Sequence, residues 1–246
     1  MFLRVWEAEQ IKTKHSPIWL AFFVLPVIPA VLGTLNYWVN RDILQSQWYS
    51  LWTQHTLFSC YFFLPVLLGI YCAWLWRLEH QQRNWNLVLT VPVPVWDLYG
   101  AKLLTISLLL LLTQLWIGLL FFLSGVLCGM TAPFPLQDVL NWLACGWLGG
   151  MVICTLQLLL SLVVRSFAVP VGLSLLGGVA ALAATAKGWG AYFPYALLAV
   201  GMRANKADAA LSCGAAPFLF FSISYMVLFA LLVLLYLGKV EVAARE

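Results

Sequence analysis

Residues 55–76 read HTLFSCYFFLPVLLGIYCAWLW, and residues 77–86, directly after them, read RLEHQQRNWN. The first stretch contains no Asp, Glu, Lys or Arg. The second places Arg77, Glu79, His80 and Arg83 within seven positions. A helix of about 20 mainly apolar residues crosses the roughly 30 Å hydrocarbon layer of a bilayer. The first stretch therefore reads as a span, and the second as the point where the chain leaves the lipid. Composition extends this reading to the whole chain of 246 residues, which is 63% hydrophobic and only 9% charged. Soluble domains carry about 25% charged residues, and a water-soluble domain has too little interior to hide so much apolar surface. In lipid every backbone polar group must be satisfied within the segment, which makes helices the element. The fold class is all-α, embedded in a membrane.

Working outward, five more stretches have spanning length: 18–39, near 103–127, about 138–163, 167–186 and 217–238. Pro26 and Pro29 predict a kink in the first of them. The polar, aromatic segment 40–54 suits an interface, with Trp38, Trp48 and Trp52 at headgroup level. Residues 128–137 form a turn-rich loop. Within 187–216, AYFPYALLAVG (191–201) is apolar but too short to cross. It reads as a re-entrant or interface-lying helical segment, or as a loop packed on the extracellular end. The segment MFLRVWEAEQIKTKHS (1–16) precedes the first span and is expected to be retained. It suits an interfacial amphipathic helix, although Glu9 intrudes on its apolar arc and Ile11 lies on its polar side. A single membrane domain covers 1–246.

Lysine and arginine set the orientation. With the N-terminus inside, Arg4, Lys12, Lys14, Arg77, Arg83, Lys102, Arg165, Lys239 and Arg245 face the cytoplasm, and Arg41, Lys187, Arg203 and Lys206 face away. Nine against four favours N-in and C-in, which requires an even number of spans; six fits. The net charge of +4 does not gather into a run, so it carries topology and is no footprint of a nucleic-acid partner.

Several chemistries find no residues to support them. Cys60, Cys72, Cys128, Cys145, Cys154 and Cys213 form no CxxC pair, which argues against a disulfide framework or a metal centre. His15, His55 and His80 stand apart from plausible co-ligands. Neither GxxxxGK[ST] nor GxGxxG is present, and no serine sits in a nucleophile elbow. No catalytic, cofactor-binding or metal-binding residue is expected, and the chain reads as a non-enzyme. Asp97 and Asp138 lie at span margins, so no ionisable group is expected at membrane depth. Gln114 and Gln157 lie within spans, where they either line a path or hydrogen-bond helix to helix.

The stretch 77–102 departs most from plain apolar packing. Leu78 and Trp85 would share a helix face, and Glu79 lies four residues before Arg83, the favourable order for a local ion pair. Pro92 and Pro94 forbid an ordinary helix through them, and Asp97 and Lys102 flank the start of the third span. A polar helix end beside a rigid PVP break suits a cytoplasmic docking surface; a plain solvated loop is the alternative.

On these residues the chain resembles the ABC-2-type permeases, and within them the lantibiotic (bacteriocin) immunity transporter permeases. The features that carry the resemblance are Glu9, Lys12 and Lys14 before the first span, WYSLWTQHTLFSCYFFLP entering the second, and the Glu79–His80 step. Trp85, the Pro92/Pro94 pair and Lys102 add to them, and the likeness covers essentially the full chain. The resemblance implies a type V exporter-like permease that lacks an ATPase domain. It would associate with a second permease chain, as a homo- or heterodimer, and with two copies of a separate ABC ATPase that binds ATP and Mg. It also implies that Glu79, His80, Arg83, Trp85, Pro92, Pro94 and Lys102 belong to the region coupled to that ATPase. The expelled substrate would be a lantibiotic-like antimicrobial peptide. Export of another amphiphile (a lipid, a polysaccharide or a drug) and a non-transporting membrane scaffold are the competing functions.

Overall fold

The computed structural model describes residues 1–80, 93–206 and 211–245, and every regular element among them is helical. In chain order these are α1 (Phe2–Lys14), α2 (Ile18–Val39), α3 (Gln47–Phe58), a wide π turn (Ser59–Phe63) and α4 (Leu64–His80). There follow α5 (Val95–Leu127), α6 (Leu136–Val163), α7 (Ala168–Ala186), a 3-10 turn (Gly190–Tyr192), α8 (Ala196–Gly201) and α9 (Ala215–Arg245). With α3, the π turn and α4 taken as one path, six of these helices are long and apolar enough to cross a membrane. Leu115, Leu176, Phe220 and Leu235 remain exposed on the outside of the bundle. Water would penalise such a surface and hydrocarbon accepts it. The chain is an all-α membrane protein with six spans.

α2 occupies 18–39, as its mainly apolar, uncharged run predicts, with Pro26 and Pro29 buried inside it. The second span differs from expectation. It begins at Gln47, eight residues before position 55, and Trp48 and Trp52 are buried in the protein. The reason is periodicity: Trp48, Leu51, Trp52 and His55 recur on one helix face, and all four are buried. The Trp52 indole donates to the Met202 carbonyl at 2.8 Å, and Tyr49 donates to Asp138 at 2.6 Å. These partners satisfy a helix end that looks too polar to enter a bundle.

Midway, the same span widens into the π turn. Pro65 has no N–H to give the Tyr61 carbonyl, and its ring crowds that carbonyl, which is a standard cause of local helix distortion. The displaced Tyr61 carbonyl faces Gly178 of α7, where a Cβ would come within 2.3 Å. Ser174 of α7 donates to the Pro65 carbonyl. The defect in one helix is thus accommodated by small residues of its neighbour.

α5 starts at Val95, earlier than the expected 103. Pro94 is the N-cap of its first turn, where a missing N–H costs no helix hydrogen bond, and Asp97 lies in that turn where the helix dipole favours an acid. Lys102 consequently lies inside a helix that satisfies the criteria for a span, roughly 10 Å from its start at 1.5 Å per residue. The expectation that Lys102 flanks the start of the third span is therefore corrected: it lies seven residues inside α5. The whole of α5 is about 50 Å long at that rise, which leaves its first turns room to extend beyond a roughly 30 Å hydrocarbon layer.

The short apolar segment is fully enclosed: every residue of α8 is buried. A Cβ on Gly149 of α6 would lie 2.4 Å from the Leu197 carbonyl oxygen, and one on Gly201 would lie 2.5 Å from that of Cys145. Glycine is needed at both positions because two backbones touch. Cys145 and Gly149 are roughly 14–20 Å along α6 from Leu136.

Candidate functional site

Three elements meet at the end of the bundle where α4 finishes and α5 begins. α1 lies across α5: a Cβ on Gly100 would lie 3.2 Å from the Phe2 ring, and Gln10 donates to Thr105 at 3.0 Å. This placement turns the flaw in α1's amphipathic pattern inward. Glu9 is 1% exposed, Glu79 of α4 is 2% exposed and Lys102 of α5 is 0% exposed. Lys12 of α1 closes the group from the rim, 31% exposed.

The bonding is dense. Lys102 Nζ reaches Glu9 Oε1 and Oε2 at 3.1 Å each, Glu79 Oε1 at 2.8 Å and the Leu75 carbonyl at 2.6 Å. An ammonium has three protons to donate, and here three acceptor groups surround it. Lys12 Nζ reaches Glu9 Oε1 at 2.6 Å and Glu79 Oε1 at 2.8 Å. The Trp76 ring lies 4.6 Å from Lys102 Nζ, close enough for a cation–π contribution. Two carboxylates and two ammoniums make the cluster neutral, the condition under which charges tolerate burial.

Glu79 lies just past the span that ends at Arg77. Burial pushes its carboxyl up, but the charges of Lys102 and Lys12, with their hydrogen bonds, outweigh burial and hold it down at about 2. Burial also acts to lower Lys12, and Glu79 and Glu9 overcome it, so this ammonium titrates above its ordinary value. The consequence for stability follows from linkage. A depressed carboxyl stabilises the fold above its ordinary value of 4.5 and loses that contribution as pH falls toward 2. For Glu79 the amount is roughly 3 kcal/mol, at 1.36 kcal/mol per pKa unit. Lys12 acts in the opposite direction, stabilising below 10.5 and ceasing to do so at higher pH. Thermal melts of the detergent-purified protein should therefore drop steeply between pH 4.5 and 2, and the Glu79→Gln variant should lack most of that drop. A variant with the same acid profile as the parent would contradict the assignment.

The remaining predicted positions divide into three sets. His80 is half-buried and its Nε2 lies 2.8 Å from the Ser161 carbonyl, tying the end of α4 to α6. Pro94 sits immediately before the first turn of α5. Arg83, Trp85 and Pro92 lie outside the described residues, as does the expected Glu79–Arg83 pair; among the described residues the ion partners of Glu79 are Lys12 and Lys102. Gln114 and Gln157 are buried against the segment around α8. Gln157 donates to the Tyr195 hydroxyl at 2.6 Å, and Gln114 approaches Met202 Sδ at 3.8 Å. Sequence reasoning noted Glu9 and Lys12 but gave them no place in the site; the acid on α1's apolar arc was the available signal.

Residues 6–181 match the family model described as ABC-2 family transporter protein. No curated protein and no solved structure matches the chain.

Proposed function

The chain belongs to the ABC-2 transporter family, and we propose that it expels a lantibiotic-like antimicrobial peptide, powered by two copies of a separate ABC ATPase. It is a membrane-embedded, multi-pass and non-catalytic transport subunit. Permeases of this kind work in a membrane complex with a cognate ATPase subunit. In this reading the chain pairs with a second permease, both termini lie in the cytoplasm, and ATP and Mg bind only to the partner. The excess of Lys and Arg on the N-terminal side supports that orientation.

The observation that supports the ATPase-coupled part of this reading is the neutral cluster of Glu9, Lys12, Glu79 and Lys102. It ties α1, α4 and α5 together at the ends between which residues 81–92 run. A partner that pushes on this connection moves two spans and α1 as one body. Glu79 and Lys102 are too buried to touch a partner, so they act as positioning residues; His80, held to α6, extends the tie to a further span. In this reading Arg83, Trp85 and Pro92, which lie outside the described residues, and Pro94 belong to the region that the ATPase contacts. α8, wedged against α6, is the re-entrant piece before the last span.

Expression with its partners in a peptide-sensitive host, followed by challenge with a panel of lantibiotics, tests the substrate. Protection that disappears when the ATPase is inactivated is the expected result. Full sensitivity despite an assembled, ATP-hydrolysing complex would rule out the peptide and leave the permease assignment standing.

A further inference from the structure

At the end of the bundle that contains the α5–α6 loop, a cleft of about 940 Å³ opens between α3, α6 and α9. Its volume lies within the roughly 300–1,000 Å³ typical of small-molecule sites. Along one face of α6 the lining changes character in order: Asp138, Asn141, Cys145, Leu148, at spacings of three and four that share a helix face. Polar groups stand at the start of the helix, and the apolar wall, continued by Phe218 and Leu219 of α9, lies about 15 Å further in. Leu219 is also exposed on the outside of the bundle, so the apolar part opens sideways.

The polar part carries both signs of charge. The Tyr49 hydroxyl binds one oxygen of Asp138, while the other has no donor among the described residues. The Trp142 indole is 3% exposed, stacked on Trp52 at 4.9 Å and met edge-on by Tyr49 at 5.7 Å, so it forms a closed part of the wall. The carboxylate oxygen that Tyr49 leaves free is an acceptor for an alkylammonium. Arg203 is 9% exposed and lines the same cleft. Its backbone sits at φ 53, a left-handed conformation that costs energy for a non-glycine residue. Its guanidinium donates to the Gly201 carbonyl at 3.2 Å, and no carboxylate among the described residues lies within ion-pair distance. A guanidinium held in this way suits a phosphate.

We propose that the cleft binds one zwitterionic glycerophospholipid, with its phosphate on Arg203, its ammonium on the Asp138 carboxylate, and an acyl chain along Leu148 and Phe218. The site is independent of whichever substrate the transporter expels. It fixes a bilayer lipid across α6 and α9, both of which touch α8.

Cys145 lies on the cleft wall and reports directly on its occupancy. The purified protein in detergent is labelled with a maleimide and each cysteine is read by mass spectrometry, with phosphatidylethanolamine or phosphatidylglycerol added as the probe. Phosphatidylethanolamine at saturation should slow Cys145 labelling roughly fivefold or more, as occupancy excludes the reagent. Phosphatidylglycerol should slow it much less, and Cys128 should be unaffected by either. Arg203→Gln should lose protection by both lipids, and Asp138→Asn should lose the preference for ethanolamine. Cys60, Cys72 and Cys154 are buried and stay unlabelled only in folded protein, so a misfolded variant is recognised at once. Leu148→Trp, which fills the apolar end, then takes its place and should abolish protection. Equal protection by the two lipids, or unchanged Cys145 labelling in folded parent protein, would overturn the proposal.

Discussion

Replacing Lys102 with Met should destabilise the chain by about 3–5 kcal/mol, the range for breaking a buried ion pair on one side only. The substitution keeps the volume of the side chain and removes its charge. Glu9 and Glu79 would then face Lys12 alone, and that ammonium sits at the rim, 31% exposed. The Leu75 carbonyl would also lose its donor. The double variant Lys102→Met with Glu79→Gln restores neutrality, leaving Glu9 with Lys12, and should recover more than half of the loss. Thermal melts of the four proteins of this cycle in detergent measure the coupling directly. Simple addition of the two single effects would contradict the account, because it would mean that the charges do not sense one another.

The second large effect concerns assembly. Glu79→Lys converts a neutral cluster into three cations around Glu9, and the ends of α1, α4 and α5 can no longer close on one another. The spans keep their apolar faces, so membrane insertion should persist. Recovery of the ATPase with the tagged permease should fall about tenfold or more, the effect of a 1.4 kcal/mol or larger loss in docking. Exchanging the pair, Glu79→Lys with Lys102→Glu, restores the charge count and should regain part of the complex. Equal recovery from parent and Glu79→Lys membranes would show that the cluster does not position the docking surface.

How much of this was legible in the sequence depended on the range of the interaction. The run 18–39 is mainly apolar and carries no charge, and α2 has those bounds. The first half of the second span was hidden because Gln47, Thr53 and Gln54 dilute its hydropathy. The buried stripe of Trp48, Leu51, Trp52 and His55 was nonetheless there to be counted. α5 was shortened in the reading because Pro92 and Pro94 suggested a break reaching to 102. Proline directly before a helix is an ordinary start, and that difference of eight residues moved Lys102 from a loop edge into a packed helix. The cluster itself joins residues 23, 67 and 93 positions apart. No local pattern encodes such pairings: the resemblance named Glu79 and Lys102 for the coupling region and the misplaced acid on α1 pointed at Glu9, but nothing joined them. The cleft lined by Asp138, Cys145 and Arg203 was likewise invisible, since it depends on how α3, α6 and α9 converge.

The central claim is that this chain is the unpowered half of an ATP-driven machine. The most direct measurement is to tag it, purify it gently from membranes of its native host, and identify what accompanies it while following ATP hydrolysis. The account expects a separate ABC ATPase in stoichiometric amount, with hydrolysis faster in the complex than for that ATPase alone. An intact, stoichiometric membrane complex containing no ATPase would contradict it.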